Sequence, residues 1–114
     1  MKQSEALRSN EDFKEIYRTG KSYANKYLIM YVKRNDTGRN RIGISVSKKV
    51  GNSVIRHRIT RLIRESYRLS EDSFLSGLDI IVVARAGAKG RNYSEIESAL
   101  LHLRKLHKIE NVTK

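Results

Sequence analysis

Residues 41–65, RIGISVSKKVGNSVIRHRITRLIRE, change period halfway along. The first seven alternate Ile42, Ile44 and Val46 with the small residues Gly43, Ser45 and Ser47, as a half-buried strand does. Gly51-Asn52-Ser53 then breaks the chain and offers an N-cap. Beyond it Ile55, Ile59, Leu62, Ile63 and Ser66 fall on one face of a helix. Upstream, NDTGRN (35–40) reads as a turn, and KYLIMYVK (26–33) alternates Leu28, Met30, Val32 with Tyr27, Ile29, Tyr31, which predicts an antiparallel hairpin with 41–47. Further back, Asn10 is a good N-cap, Glu11 and Asp12 suit a helix start, Phe13, Ile16 and Tyr17 share a face, and Gly20 supplies a stop. Downstream, LDIIVVA (78–84) is a nearly continuous apolar run, as a central strand covered on both faces would be. A last helix carries Ile96, Leu100, Leu103 and Leu106, with Ser94 and Glu97 in capping-box spacing ahead of its basic end. The order α-β-β-α-β-α predicts an α+β fold, a two-layer sandwich of helices on a small mixed sheet.

The 114 residues carry 24 Lys+Arg against 12 Asp+Glu, a formal net charge of +12. Such a length fits one domain, 1–114, and 39% hydrophobic residues suffice for a core. No Cys is present, which excludes disulfides, thiolate metal sites and Cys nucleophiles. No apolar run nears the ~18 residues of a membrane span, and the amino terminus lacks a secretory signal, so the cytoplasm is the expected compartment. The charge excess points to nucleic acid first and an anionic membrane surface second. It is also uneven: ten Lys/Arg lie between Lys33 and Arg64, and Asp36 is the sole acid among them.

On the 53–70 segment, His57, Arg61, Arg64 and Arg68 fall within an arc of about 60°, opposite the apolar face. A solvated outer face is the bland alternative, but such a face would intersperse acids, and only Glu65 lies near this one. Arg is used five times and Lys never between residues 54 and 68, which suits bidentate contact with phosphate. Lys48 and Lys49 stand just ahead of the helix start, a natural place for an anion. The second feature is aromatic. Phe13 and Tyr17 are helical neighbours, and Tyr27 and Tyr31 share a strand face opposite Gly43, Ser45 and Ser47. Rings beside a small-residue floor form a trough on which unpaired bases can stack, although Phe13 serves equally well as core. His57, His102 and His107 have no acidic partners that would make a base or a metal site, and Ser45 and Ser47 lack a His–Asp partnership. The residues therefore predict an RNA- or DNA-binding domain without a catalytic centre of its own.

The strings NEDFKEIYRTGKSYANKYLIMYV, KKVGNSVIRHRITRLIR and LDIIVVAR, spread over residues 9–106, resemble the protein subunit of bacterial ribonuclease P. The resemblance implies a fold like the second domain of a small-ribosomal-subunit protein, with a left-handed β-α-β crossover through the arginine helix and a short extra strand near residues 22–24. It implies a ribonucleoprotein whose RNA subunit carries out Mg²⁺-dependent removal of the 5′ leader from precursor tRNA, the protein assisting. Its partners would be that catalytic RNA and precursor tRNA, with no membrane and no obligate protein partner. By position, Lys48, Lys49, Asn52, Arg56, Arg58, Arg61 and Arg64 match the basic region that faces the catalytic RNA, and His57 and Arg68 lie on the same stripe. Phe13, Tyr17 and Tyr31, with Ser45 and Ser47 as floor, match the cleft for the single-stranded leader. His57 stands where the family usually has Asn, and Thr60 where it usually has Lys. The resemblance therefore implies one phosphate contact fewer, with protonated His57 a partial substitute. A purely structural RNA-binding module of the same architecture is the rival reading, and an autonomous nuclease is a third.

Overall fold

The apolar run Leu78–Ala84 has a strand on each side of it. The computed structural model describes residues 3–112. Five strands, β1 (Ser4–Ala6), β2 (Lys21–Ala24), β3 (Leu28–Arg34), β4 (Asn40–Ser45) and β5 (Leu78–Ala84), lie in the order β1-β4-β5-β3-β2. Three helices accompany them, α1 (Asn10–Thr19), α2 (Ser53–Ser70) and α3 (Tyr93–Leu106). The α+β reading holds, and the extra strand near residues 22–24 is β2.

The expected hairpin does not form. β5 lies between β3 and β4, antiparallel to the first and parallel to the second, so β4, α2 and β5 make a crossover unit. β1, which has no counterpart in the periodicity, adds parallel to β4. Two caps also differ. Ser9, not Asn10, caps α1, its Oγ accepting from the Asp12 N–H at 3.4 Å. Asn92 and Glu95, not Ser94 and Glu97, form the capping box of α3. In each case a neighbouring polar residue has the extended backbone an N-cap requires.

Because side chains alternate along a strand, the sheet has two unlike faces. On the inner face Leu28, Met30, Val32, Ile42, Ile80 and Val82 meet Ile59, Ile63 and Tyr67 of α2 and Ile96, Leu100 and Leu103 of α3, all buried. Each such aliphatic side chain contributes roughly 1.5–3 kcal/mol. On the outer face α1 is the one helix among the described residues that covers the sheet, with Ile16 buried against Leu7 and Ile81. The residues of this face fall into rows across the strands: Lys33, Asp79 and Arg41; then Tyr31, Ile81 and Gly43; then Ile29, Val83 and Ser45.

The first row is electrostatic. Asp79 is only 5% exposed, and it accepts from Arg41 Nε at 2.8 Å, Arg41 Nη2 at 2.6 Å and Asn35 Nδ2 at 2.8 Å. Arg41 Nη1 also reaches Asp12 of α1 at 3.0 Å, and Lys33 Nζ reaches Glu15 at 3.1 Å, so these pairs pin the helix to the sheet. Burial by itself would raise the Asp79 pKa, but the hydrogen bonds from Arg41 and Asn35 outweigh it and hold the group below its ordinary value. The resulting stabilisation is complete above the unfolded-state value of about 3.9 and is lost as pH falls through the lower folded-state value. Arg41→Ala, which strands this carboxylate, is expected to cost about 3 kcal/mol in urea unfolding. An unchanged midpoint at neutral pH would contradict that role.

Candidate nucleic-acid interface

The basic helix begins at Asn52, whose extended backbone and side-chain oxygen, accepting from the Ile55 N–H at 3.0 Å, make it the N-cap of α2. Ahead of it the Val50 N–H closes a turn on the Ser47 carbonyl at 3.1 Å and leaves Lys48 and Lys49 exposed. On the helix itself His57, Arg58, Arg61, Arg64 and Arg68 are exposed and Arg56 is half-buried. Thr60 does not project a polar group outward, since its Oγ1 donates back to the Arg56 carbonyl at 2.9 Å.

The predicted stripe is largely free of acids from its own molecule. Arg68 is the exception: its Nε and Nη2 donate to the two oxygens of Glu65 at 2.9 and 2.7 Å, and that hydrogen bonding lowers the Glu65 pKa. Among the described residues, no carboxylate pairs with Lys48, Lys49, Arg56, Arg58, Arg61 or Arg64. Arg58 is anchored without being neutralised, its Nη1 donating to the Arg91 carbonyl at 3.0 Å. The helix twist divides the ridge between two hollows. His57, Arg58 and Arg61 line a groove of about 730 Å³ with Leu62, Glu65 and Tyr93. Arg64 instead faces a hollow of about 310 Å³ at the β4 edge, together with Arg8. Not every base of the 33–64 region is available: Lys33, Arg39 and Arg41 pair with Glu15, Glu5 and Asp79, acids from distant parts of the chain.

The aromatic trough lies on the other face of the sheet. Phe13 and Tyr17 of α1 are edge to face with ring centroids 6.1 Å apart, and Tyr17 meets Tyr31 of β3 at 4.9 Å and 78°. Tyr17 remains 39% exposed, while Phe13 and Tyr31 are half-buried against Ile81, so these rings are both core edge and accessible wall. Beyond them the row Ile29, Val83 and Ser45 is only half-buried and extends the floor. Ser47 lies past the end of β4, exposed at the turn into Lys48. Tyr27 does not join the trough. It precedes β3 and packs with the main core, with the Arg91 guanidinium 5.1 Å from its ring centroid.

Arg8 and Tyr93 were not marked by the sequence, because each reaches its hollow only through the fold. His102 sits exposed on α3, and His107, its C-cap, is tied to the Met30 carbonyl through Nε2 at 2.8 Å. Gly43 sets the depth of the trough. A Cβ there would stand 2.5 Å from Phe13 Cζ and 3.2 Å from Leu7 Cδ2. Gly43→Ala is therefore expected to displace the Phe13 ring and cost about 1–2 kcal/mol. In a double-mutant cycle on urea stability most of that cost disappears in the Phe13→Ala background; full additivity would contradict the contact.

The comparisons with known proteins agree with this geometry. The family model Ribonuclease P matches residues 1–108. The ribonuclease P protein component of Lachnoclostridium phytofermentans is 67% identical over 106 residues, covering 93% of this chain and 91% of the relative. That of Alkaliphilus metalliredigens is 52% identical over 103 residues, covering 90% and 93%. Among solved structures, the RNase P protein of Staphylococcus aureus superposes with a TM-score of 0.84 at 40% identity, covering 93% of this chain and 97% of its own. The RNase P protein from Thermotoga maritima gives 0.82 at 29% identity, covering 89% and 96%.

Proposed function

The chain belongs to the ribonuclease P protein family, and from that premise we propose that it acts as the protein subunit of the ribonucleoprotein, gripping the catalytic RNA with α2 and the 5′ leader of precursor tRNA with the trough. The observation that carries this reading is the guanidinium ridge of Arg58, Arg61 and Arg64, exposed and without a carboxylate partner among the described residues. Like charges spaced three and four residues apart on a helix repel, so a ridge left unneutralised is stabilised by an external polyanion. A duplex hides its base faces, whereas the leader is single-stranded and can lay its bases on Tyr17 and Tyr31. With one RNA on each face of the sheet, the protein would align substrate and catalyst and soften phosphate repulsion between them.

The hydrolytic step in this proposal is the RNA's. Among the described residues no group of three or more His, Cys, Asp or Glu side chains could hold a metal ion, so these residues do not fit a Mg²⁺ cage. The proposed setting is the cytoplasm. No helix among the described residues is long and apolar enough to cross a membrane.

Multiple-turnover cleavage of precursor tRNA by the RNA subunit at low Mg²⁺, with and without this protein, tests the proposal. Stimulation is expected, and its absence would leave only a structural RNA-binding role. Arg61→Ala and Arg64→Ala are each expected to weaken RNA binding and to lower the slope of log affinity against log salt by roughly 0.7–0.9. An unchanged slope would remove the ridge from the interface. Tyr31→Ala is expected to reduce preference for substrates bearing a leader by about 1–3 kcal/mol while sparing affinity for the RNA subunit. Equal losses with and without a leader would make Tyr31 core alone.

A further inference from the structure

The groove along α2 offers more than phosphate contacts require. Its volume of about 730 Å³ falls within the range of roughly 300–1,000 Å³ usual for small-ligand clefts. One part of its lining is polar, from the His57 imidazole and the guanidinium groups of Arg58 and Arg61, and another is apolar, from Val54, Leu62 and the Tyr93 ring. Val54 is 75% exposed, so its side chain is accessible to a ligand in the groove. Both fixed points are set before any ligand arrives. Tyr93 Oη donates to Glu97 at 3.1 Å and Arg58 to the Arg91 carbonyl at 3.0 Å, so neither side chain has to be ordered on binding. Glu65, the one acid lining the groove, has both oxygens engaged by Arg68, which offsets its repulsion of an anion.

We propose that this groove takes one unpaired nucleotide of an RNA partner, its base against Tyr93, Leu62 and Val54 and its phosphate against His57 and Arg61. The inference rests on the reading of α2 as an RNA-binding surface and adds a base-accepting subsite to it. A duplex segment would use the cations and leave the apolar part of the lining empty, whereas an unpaired nucleotide satisfies both. Tyr93 is then a positioning element for the RNA, contributed by α3.

The test measures affinity at several salt concentrations for two labelled probes, the ribonuclease P RNA transcript and precursor tRNA without it. Tyr93→Ala, and Tyr93→Leu as a variant that keeps apolar bulk, are expected to lose about tenfold in affinity at every salt concentration with an unchanged salt slope, because stacking carries no charge. Tyr93→Phe, which keeps the ring, is expected to bind like the native protein. Loss with either probe supports the proposal, and the probe that shows it is the source of the nucleotide. Native affinity for Tyr93→Ala and Tyr93→Leu with both probes would overturn it. So would a loss in Tyr93→Phe equal to that in Tyr93→Ala, or a reduced salt slope in the Tyr93 variants. Arg61→Ala separates the two readings: if its salt slope is unchanged, the α2 interface itself fails, whatever Tyr93 does.

Discussion

Placing β5 between β3 and β4 constrains everything else in this molecule. A strand with neighbours on both sides and helices or rings over both faces is almost wholly apolar, and in Leu78–Ala84 the one charged residue, Asp79, is paired by Arg41 and Asn35. Since β4 runs parallel to β5, the chain has to cross from the end of one to the start of the other, and α2 makes that crossing on the inner face. α1 takes the outer face, where it leaves the row Ile29, Val83 and Ser45 only partly covered. Ridge and trough are thus consequences of one topological choice, and they stand on opposite faces of the same sheet.

Electrostatics then sorts the basic residues into two groups. Those whose strand or turn position brings an acid near are paired within the molecule: Arg41 by Asp79 and Asp12 and Lys33 by Glu15, which hold the fold, and Arg39 more loosely by Glu5 at the surface. Those on α2 pair with a single acid among the described residues, Glu65, and Arg68 takes it. The local excess of charge read along the chain overstates what is available to a partner, but the part of it on α2 survives folding. That surviving part carries the functional reading.

The sequence was legible where a residue's role depends on its near neighbours. The period change within residues 41–65 located β4 and α2, and the apolar run located β5. The expected hairpin is absent because adjacency in sequence is not adjacency in the sheet, where β5 lies between β3 and β4. In a three-stranded reading, a central 78–84 strand already left no room for 26–33 and 41–47 to pair. β1 has three residues, too few for any period to show, and β2, with Lys21, Ser22, Tyr23 and Ala24, has an edge strand's mixed composition. The caps at Ser9 and Asn92 were missed in favour of polar residues one or two positions on, a choice that backbone dihedrals make and composition does not. Of the trough, Phe13, Tyr17 and Tyr31 come together as expected, while Tyr27 leaves because it stands outside β3.

In the proposed function two RNAs meet this protein on opposite faces of one sheet. Hydrogen–deuterium exchange of the protein bound to the RNA subunit, before and after adding precursor tRNA, measures this directly. The RNA subunit alone is expected to slow exchange in α2 and the turn ahead of it, and precursor tRNA is then expected to add protection in α1, β3 and the end of β4. Protection of α1 and the trough by the RNA subunit alone, or added protection confined to α2, would contradict it.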